Sequence, residues 1–134
     1  MVKSLNHIGI AVSDLEKSIE LFKKIFQVDK FHIESVESQG VKIASFKIGN
    51  VLIELTAPLG SESPIAKYIE KRGEGIHHLA FEVDDIEKDL QRLKQEGISL
   101  LNEIPTEGGH QMKIAFLHPK STNGVLIELC QKVL

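Results

Sequence analysis

The sequence predicts an α+β domain of two tandem βαβββ modules, and three observations carry that prediction. The first is an internal repeat. Asn6-His7-Ile8-Gly9-Ile10-Ala11-Val12-Ser13-Asp14-Leu15-Glu16-Lys17 returns as His77-His78-Leu79-Ala80-Phe81-Glu82-Val83-Asp84-Asp85-Ile86-Glu87-Lys88, and Val51-Leu52-Ile53-Glu54-Leu55 returns as Val125-Leu126-Ile127-Glu128-Leu129. The second is a change of period within each copy, from a short β-branched run to a helical stripe. The third is a return to alternation, bounded by turn residues.

The elements follow in order. Val2 to Val12 reads as a strand, and Asp14 caps the helix after it, where Leu15, Ile19, Phe22 and Phe26 fall on one buried stripe. Lys30–Val36, Val41–Ile48 and Val51–Thr56 read as three strands, with Glu37-Ser38-Gln39-Gly40 and Gly49-Asn50 as turns. Ser63-Pro64 opens a linking helix by capping and a preset φ, and Gly73 and Gly75 release it. In the second copy Ile76–Val83 is the strand, Asp84 or Asp85 the cap, and Ile86, Leu90 and Leu93 the stripe. Ser99–Leu101, Met112–Leu117 and Val125–Gln131 complete it, with a Gly108-Gly109-His110 loop and an Asn123-Gly124 turn.

The modules span about residues 1–60 and 75–134, with the linking helix at about 61–74. Each half alone is too small to bury a sufficient core, so one domain over 1–134 is expected. A net charge of −3, with no basic cluster, argues against nucleic acid as a partner. The single cysteine, Cys130, rules out an intrachain disulfide and suits a reducing, cytoplasmic setting. The apolar stretch Ile8–Val12 is too short for a signal peptide, and no run reaches membrane-spanning length, so a mature chain with no membrane partner is expected.

Each copy begins with a histidine and ends with a glutamate, 47 positions apart from His7 to Glu54 and 50 from His78 to Glu128. Strand alternation sets His7 with Gly9 and Ala11, and His78 with Ala80, so each histidine has small neighbours. It also sets Glu54 with Leu52 and Thr56, and Glu128 with Leu126 and Cys130. A carboxylate among apolar neighbours is costly without a cation or hydrogen bonds, and the same placement occurs twice. His7, Glu54, His78 and Glu128 are therefore candidate ligands of one divalent metal ion; a mixed imidazole and carboxylate set accepts cobalt, nickel, manganese or zinc. The repeat aligns His77 with Asn6, which places His77 on the opposite face, near the surface. Cys130 shares the face of Glu128 and reads as a buried, inert thiol.

The paired modules with these four residues resemble the vicinal oxygen chelate superfamily, in which two modules form a cupped mixed sheet around a metal, with helices outside. The resemblance covers essentially the whole chain. Leu5 to Val12, Ala57-Pro58-Leu59-Gly60-Ser61-Glu62-Ser63-Pro64-Ile65-Ala66, Gly75-Ile76-His77-His78 and Leu117-His118-Pro119-Lys120 leading into Gly124 to Leu129 resemble methylmalonyl-CoA epimerases more closely. That resemblance implies a homodimer acting on an acyl-CoA. It implies interconversion of (2R)- and (2S)-methylmalonyl-CoA by removal of the α-proton, with the enolate charge stabilised by the metal, and return of a proton on the other face.

Glu128 matches the family's carboxylate at the metal and is the candidate for one proton carrier. For the other, a family glutamate after the Gln-Gly-Val turn matches Ile43 here, so the role passes to Glu54, to Glu37 or to a water at the metal. Lys113 and Lys120 are candidates for contact with CoA phosphates or the substrate carboxylate, and His110 for a flap over the pocket. The four ligands also resemble those of lactoylglutathione lyase, which isomerises the methylglyoxal–glutathione hemithioacetal. Pro58-Leu59-Gly60 and His118-Pro119-Lys120 favour the epimerase. A non-catalytic small-molecule-binding protein on the same scaffold would need no metal ligands.

Overall fold

A computed structural model describes residues 1–133, and Leu134 lies outside the described residues. The element order is β1 (Val2–Ala11), α1 (Leu15–Phe26), β2 (His32–Val36), β3 (Val41–Ile48), β4 (Val51–Pro58), α2 (Pro64–Arg72), β5 (Gly75–Val83), α3 (Ile86–Gln95), β6 (Thr106–Glu107), β7 (Met112–Leu117) and β8 (Ile127–Lys132). This is βαβββ twice, joined by α2.

The chain divides into two compact units, Ile8–His77 and the pair of segments formed by Met1–His7 and the chain from His78 onward. The boundary thus falls inside β1, whose first residues go with the second copy. There the backbone N–H of Asp84 donates to Met1 O at 3.3 Å, and the α-ammonium of Met1 donates to buried Asp89 at 3.0 and 3.2 Å.

In the unit Ile8–His77 the strand order is β2-β3-β4-β1. Asp14 accepts from Lys17 N at 3.1 Å and starts α1, which ends at Gln27 in the left-handed region (φ 54°). Leu15, Ile19 and Phe22 pack on Val12, Ala44, Leu55 and Ala57. The expected stripe is only partly buried: no α1 residue is fully covered, and Phe26, in the last turn, is 45% exposed with its ring against Phe22 and Phe46. Val36, Val41, Ile43 and Ala11 form a separate cluster with Ile65 of α2. Ser63 caps α2 by accepting from Ile65 N at 3.1 Å. Gly40 (φ 67°) closes the β2–β3 turn in a conformation that glycine adopts without strain.

In the other unit the order is β1-β5-β8-β7-β6, with β5 and β8 parallel and β8, β7 and β6 antiparallel. Asp85 is the cap of α3, accepting from Lys88 N at 3.2 Å. Ile86 and Leu90 bury against Val83, Ala115, Leu117 and Leu129. The expected strand Ser99–Leu101 is reduced to a single bridge, Leu100 to Leu117, and the short β6 forms farther on. Two features interrupt pairing between them: the Asn102 side chain takes the Phe116 N–H at 2.8 Å, and Pro105 has no N–H to donate. β8 starts at Ile127 rather than Val125, because the Val125 carbonyl is taken by the Thr122 hydroxyl in the preceding turn. Asn123 (φ 58°) and Gly124 (φ 86°) make that turn.

Candidate metal centre

Three side chains of the second unit converge. His78 lies on β5 two residues before Ala80, and Ala80 stands directly across from Glu128 on β8. Ala80 itself is fully buried in a cluster with Met112, Ile114 and Cys130. Glu128 Oε1 lies 3.3 Å from His78 Nε2, Glu128 Oε2 lies 3.6 Å from His7 Nε2, and the two Nε2 atoms lie 3.1 Å apart. The rings meet nearly at right angles, and the three side chains are between 5% and 8% exposed. Phe116, across from Glu128 on β7, sets its ring edgewise to His78 at 5.8 Å.

Such an arrangement has an electrostatic requirement. Neutral imidazoles each offer one ring nitrogen as a lone pair, and an ionised carboxylate offers only lone pairs. Bringing these acceptors together away from water is costly unless a cation or shared protons lie among them. Two imidazoles and a carboxylate are the donor set that first-row divalent metals take, so the residues present fit one divalent ion.

Glu54 lies in the other unit, on β4, and is 4% exposed. It is paired in register with Ser45 and has Thr56 two residues along; both are buried as well. Its place on the last strand of its module matches that of Glu128.

A profile of the glyoxalase/bleomycin resistance protein/dioxygenase superfamily matches residues 6–116, most of the chain. The chain belongs to that superfamily. Within it the chain is similar to methylmalonyl-CoA epimerases. It is 40% identical to the mitochondrial human enzyme over 95% of this chain and 73% of that one. It is 39% identical to the ethylmalonyl-CoA/methylmalonyl-CoA epimerase of Cereibacter sphaeroides over 98% and 99%. Among solved structures, a Streptomyces coelicolor methylmalonyl-CoA epimerase variant in complex with 2-nitronate-propionyl-CoA superposes with a TM-score of 0.94, at 34% identity over 99% of this chain and 96% of that one.

Against that superfamily frame, the remaining candidates fall in different surroundings. His77 is half-buried with its ring edge-on to Tyr68 at 4.7 Å, and burial pushes its pKa down to about 4, so it is neutral near pH 7. Lys113 is paired with Glu87, its Nζ 3.0 and 2.9 Å from the two carboxylate oxygens. Lys120 is exposed in the turn Pro119–Ser121, where its backbone N–H donates to His118 Nδ1 at 3.1 Å. His110 is half-buried and, with Gln111, has positive φ (55° and 57°), the backbone of a tight loop. Glu37 is exposed. Ile43 lies in the apolar cluster with Ile65, and its partner across β2 is Glu34. Cys130 is fully buried across from Ile114.

Sequence reasoning passed over Asn6, whose Oδ1 lies 2.7 Å from His7 Nδ1. The available signal was its position beside a candidate ligand, where the other copy carries a second histidine.

No helix among the described residues is long and apolar enough to cross a membrane.

Proposed function

We propose that the chain is a metal-dependent methylmalonyl-CoA epimerase. The observation that carries this reading is the buried convergence of His7, His78 and Glu128 in a chain so similar to epimerases over nearly its whole length. His7, His78, Glu128 and, from its equivalent repeat position, Glu54 would hold one divalent ion. When bound, the ion supplies Lewis-acid stabilisation of the negative charge that develops on the thioester oxygen. Cobalt, nickel, manganese and zinc all accept this donor set.

The α-carbon of methylmalonyl-CoA lies between a thioester and a carboxylate, which makes its proton removable. A carrier on each side of the planar enolate, one taking the proton and the other returning it, is the economical route to inversion. Glu128 is assigned as one carrier and Glu54 as the other. Both side chains are buried, which shields a proton held on either from exchange with bulk water. Lys120 stays the candidate for contact with CoA phosphates or the substrate carboxylate and His110 for a flap over the pocket, whereas Lys113 would have to leave Glu87 to make such a contact. A homodimer is part of the same reading, and so is the cytoplasm, whose reducing conditions suit a chain with one cysteine.

The test is metal-reconstituted protein incubated in deuterated water with each epimer of methylmalonyl-CoA, beside the methylglyoxal–glutathione hemithioacetal. Interconversion of the epimers with deuterium at the α-carbon is expected. Turnover of the hemithioacetal alone would replace the epimerase reading with the lactoylglutathione lyase one.

A further inference from the structure

We propose that Asn6 is a positioning residue for His7, fixing which of its ring nitrogens carries the proton. The Asn6 side-chain oxygen lies 2.7 Å from His7 Nδ1. An amide oxygen only accepts, so Nδ1 must be the protonated nitrogen and donate to it. In the neutral ring Nε2 is then the lone pair, and Nε2 is the atom 3.1 Å from His78 Nε2 and 3.6 Å from Glu128. Asn6 thereby presents His7 to the centre as a ligand rather than as a proton donor.

Strand geometry does not produce this contact by itself. Successive side chains on a strand leave on opposite faces, so neighbouring residues 6 and 7 meet only if both lean together. Asn6 is half-buried and His7 is 5% exposed, so water competes little for the bond. The second copy carries different neighbours at the equivalent positions. The position equivalent to Asn6 is His77, whose ring lies against Tyr68, while His78 has the edge of Phe116 beside it. One histidine of the pair is held by an amide, and its counterpart has an aromatic ring for a neighbour.

This inference rests on the metal-ligand part of the proposed function and not on its substrate. Its test uses full-length protein labelled with nitrogen-15 at histidine, metal-free, near pH 7.5, with the His7 resonances assigned through a His7→Gln variant. The Nδ1-protonated form of His7 is expected in the parent protein. In Asn6→Ala a shift toward the Nε2-protonated form is expected, together with a loss of ~10–100-fold in cobalt(II) affinity measured by titration. Asn6→Asp, which keeps an accepting oxygen, is expected to keep both the tautomer and the affinity, and serves as the folded control.

An Nε2-protonated His7 in the parent protein would overturn the proposal, since it means that the amide NH2 faces the ring. An Asn6→Ala protein with unchanged tautomer and unchanged affinity would overturn it as well. A parent protein that shows the expected tautomer and its dependence on Asn6, yet binds no cobalt, upholds the positioning and rejects the metal-ligand reading.

Discussion

Ala80 and Glu128 face each other across the parallel pair β5 and β8. Ala80 is fully buried and packs with Met112, Ile114 and Cys130, so added side-chain carbons press on the strand that carries Glu128. Ala80→Val is expected to reduce divalent-metal affinity and to cost about 1–3 kcal/mol of stability from overpacking. Metal titration and urea unfolding of the same variant check both parts.

Neighbouring histidines are expected to behave differently. Removal of His7, His78 or Glu128 takes away a buried donor, whereas His77 packs against Tyr68. His7→Ala, His78→Ala and Glu128→Ala should each sharply weaken metal binding and turnover, and His77→Ala much less. Calorimetric titration with cobalt(II) or nickel(II) reads this directly. Equal losses for His77→Ala and His78→Ala would break the repeat-based assignment.

Glu54 offers a test that separates ligand from mere burial. Glu54→Gln keeps the shape of a buried side chain while replacing its carboxylate, so the variant and the parent are compared with and without metal. Added metal should raise the parent's melting temperature more than the variant's, because only a ligand that binds the native state contributes to that shift. An identical metal-induced shift in both proteins would remove Glu54 from the ligand set.

The Lys113–Glu87 pair carries a small pH dependence. The hydrogen bond from Lys113 holds the Glu87 carboxyl below its ordinary value. A carboxyl with a lower pKa in the folded state binds fewer protons there than in the unfolded chain. Its stabilisation is present above the unfolded value and is lost as pH falls through the folded one. Both groups are substantially exposed, so Glu87→Gln should cost less than about 1 kcal/mol at pH 7 and nothing at pH 2, measured by denaturant unfolding.

Leu90 is 2% exposed in the cluster under α3. Leu90→Ala is expected to destabilise by about 2–5 kcal/mol through lost burial and the cavity left behind. Thermal unfolding of the metal-free protein is the appropriate measurement, since it excludes any contribution from bound metal.

The parts of the fold that were legible in the sequence are those written in local chemistry. Asp14 and Ser63 cap as their positions predict, Asp85 rather than Asp84 caps α3, and Val41–Ile48 and Met112–Leu117 form strands with the expected bounds. Ser99–Leu101 does pair with β7, Leu101 N–H donating to Phe116 O and His118 N–H to Ser99 O, but it goes no farther than one bridge because the Asn102 side chain takes the Phe116 N–H. Phe26 misleads because helical periodicity gives a direction but not the extent of the layer it meets. In the candidate site, repetition made His7, His78 and Glu128 visible, and it also separated His78 from His77. Asn6 and Ala80 were not visible in the same way, since their importance comes from what they touch rather than from their own reactivity.

The division inside β1 bears on the order in which the chain acquires structure. Ile8–His77 is a continuous segment, and the register of β2, β3 and β4 joins residues close in sequence, so its loops close at little entropic cost. The other unit draws on both ends of the chain, and His7 meets Glu128 only after β8 has been made and paired. Contacts of such long sequence separation form slowly, so pulse-labelled amide exchange is expected to protect β3 and β4 before β8. His7 and Glu128 would then be among the last residues to come together, and a chain cut short before β8 would carry both histidines without Glu128.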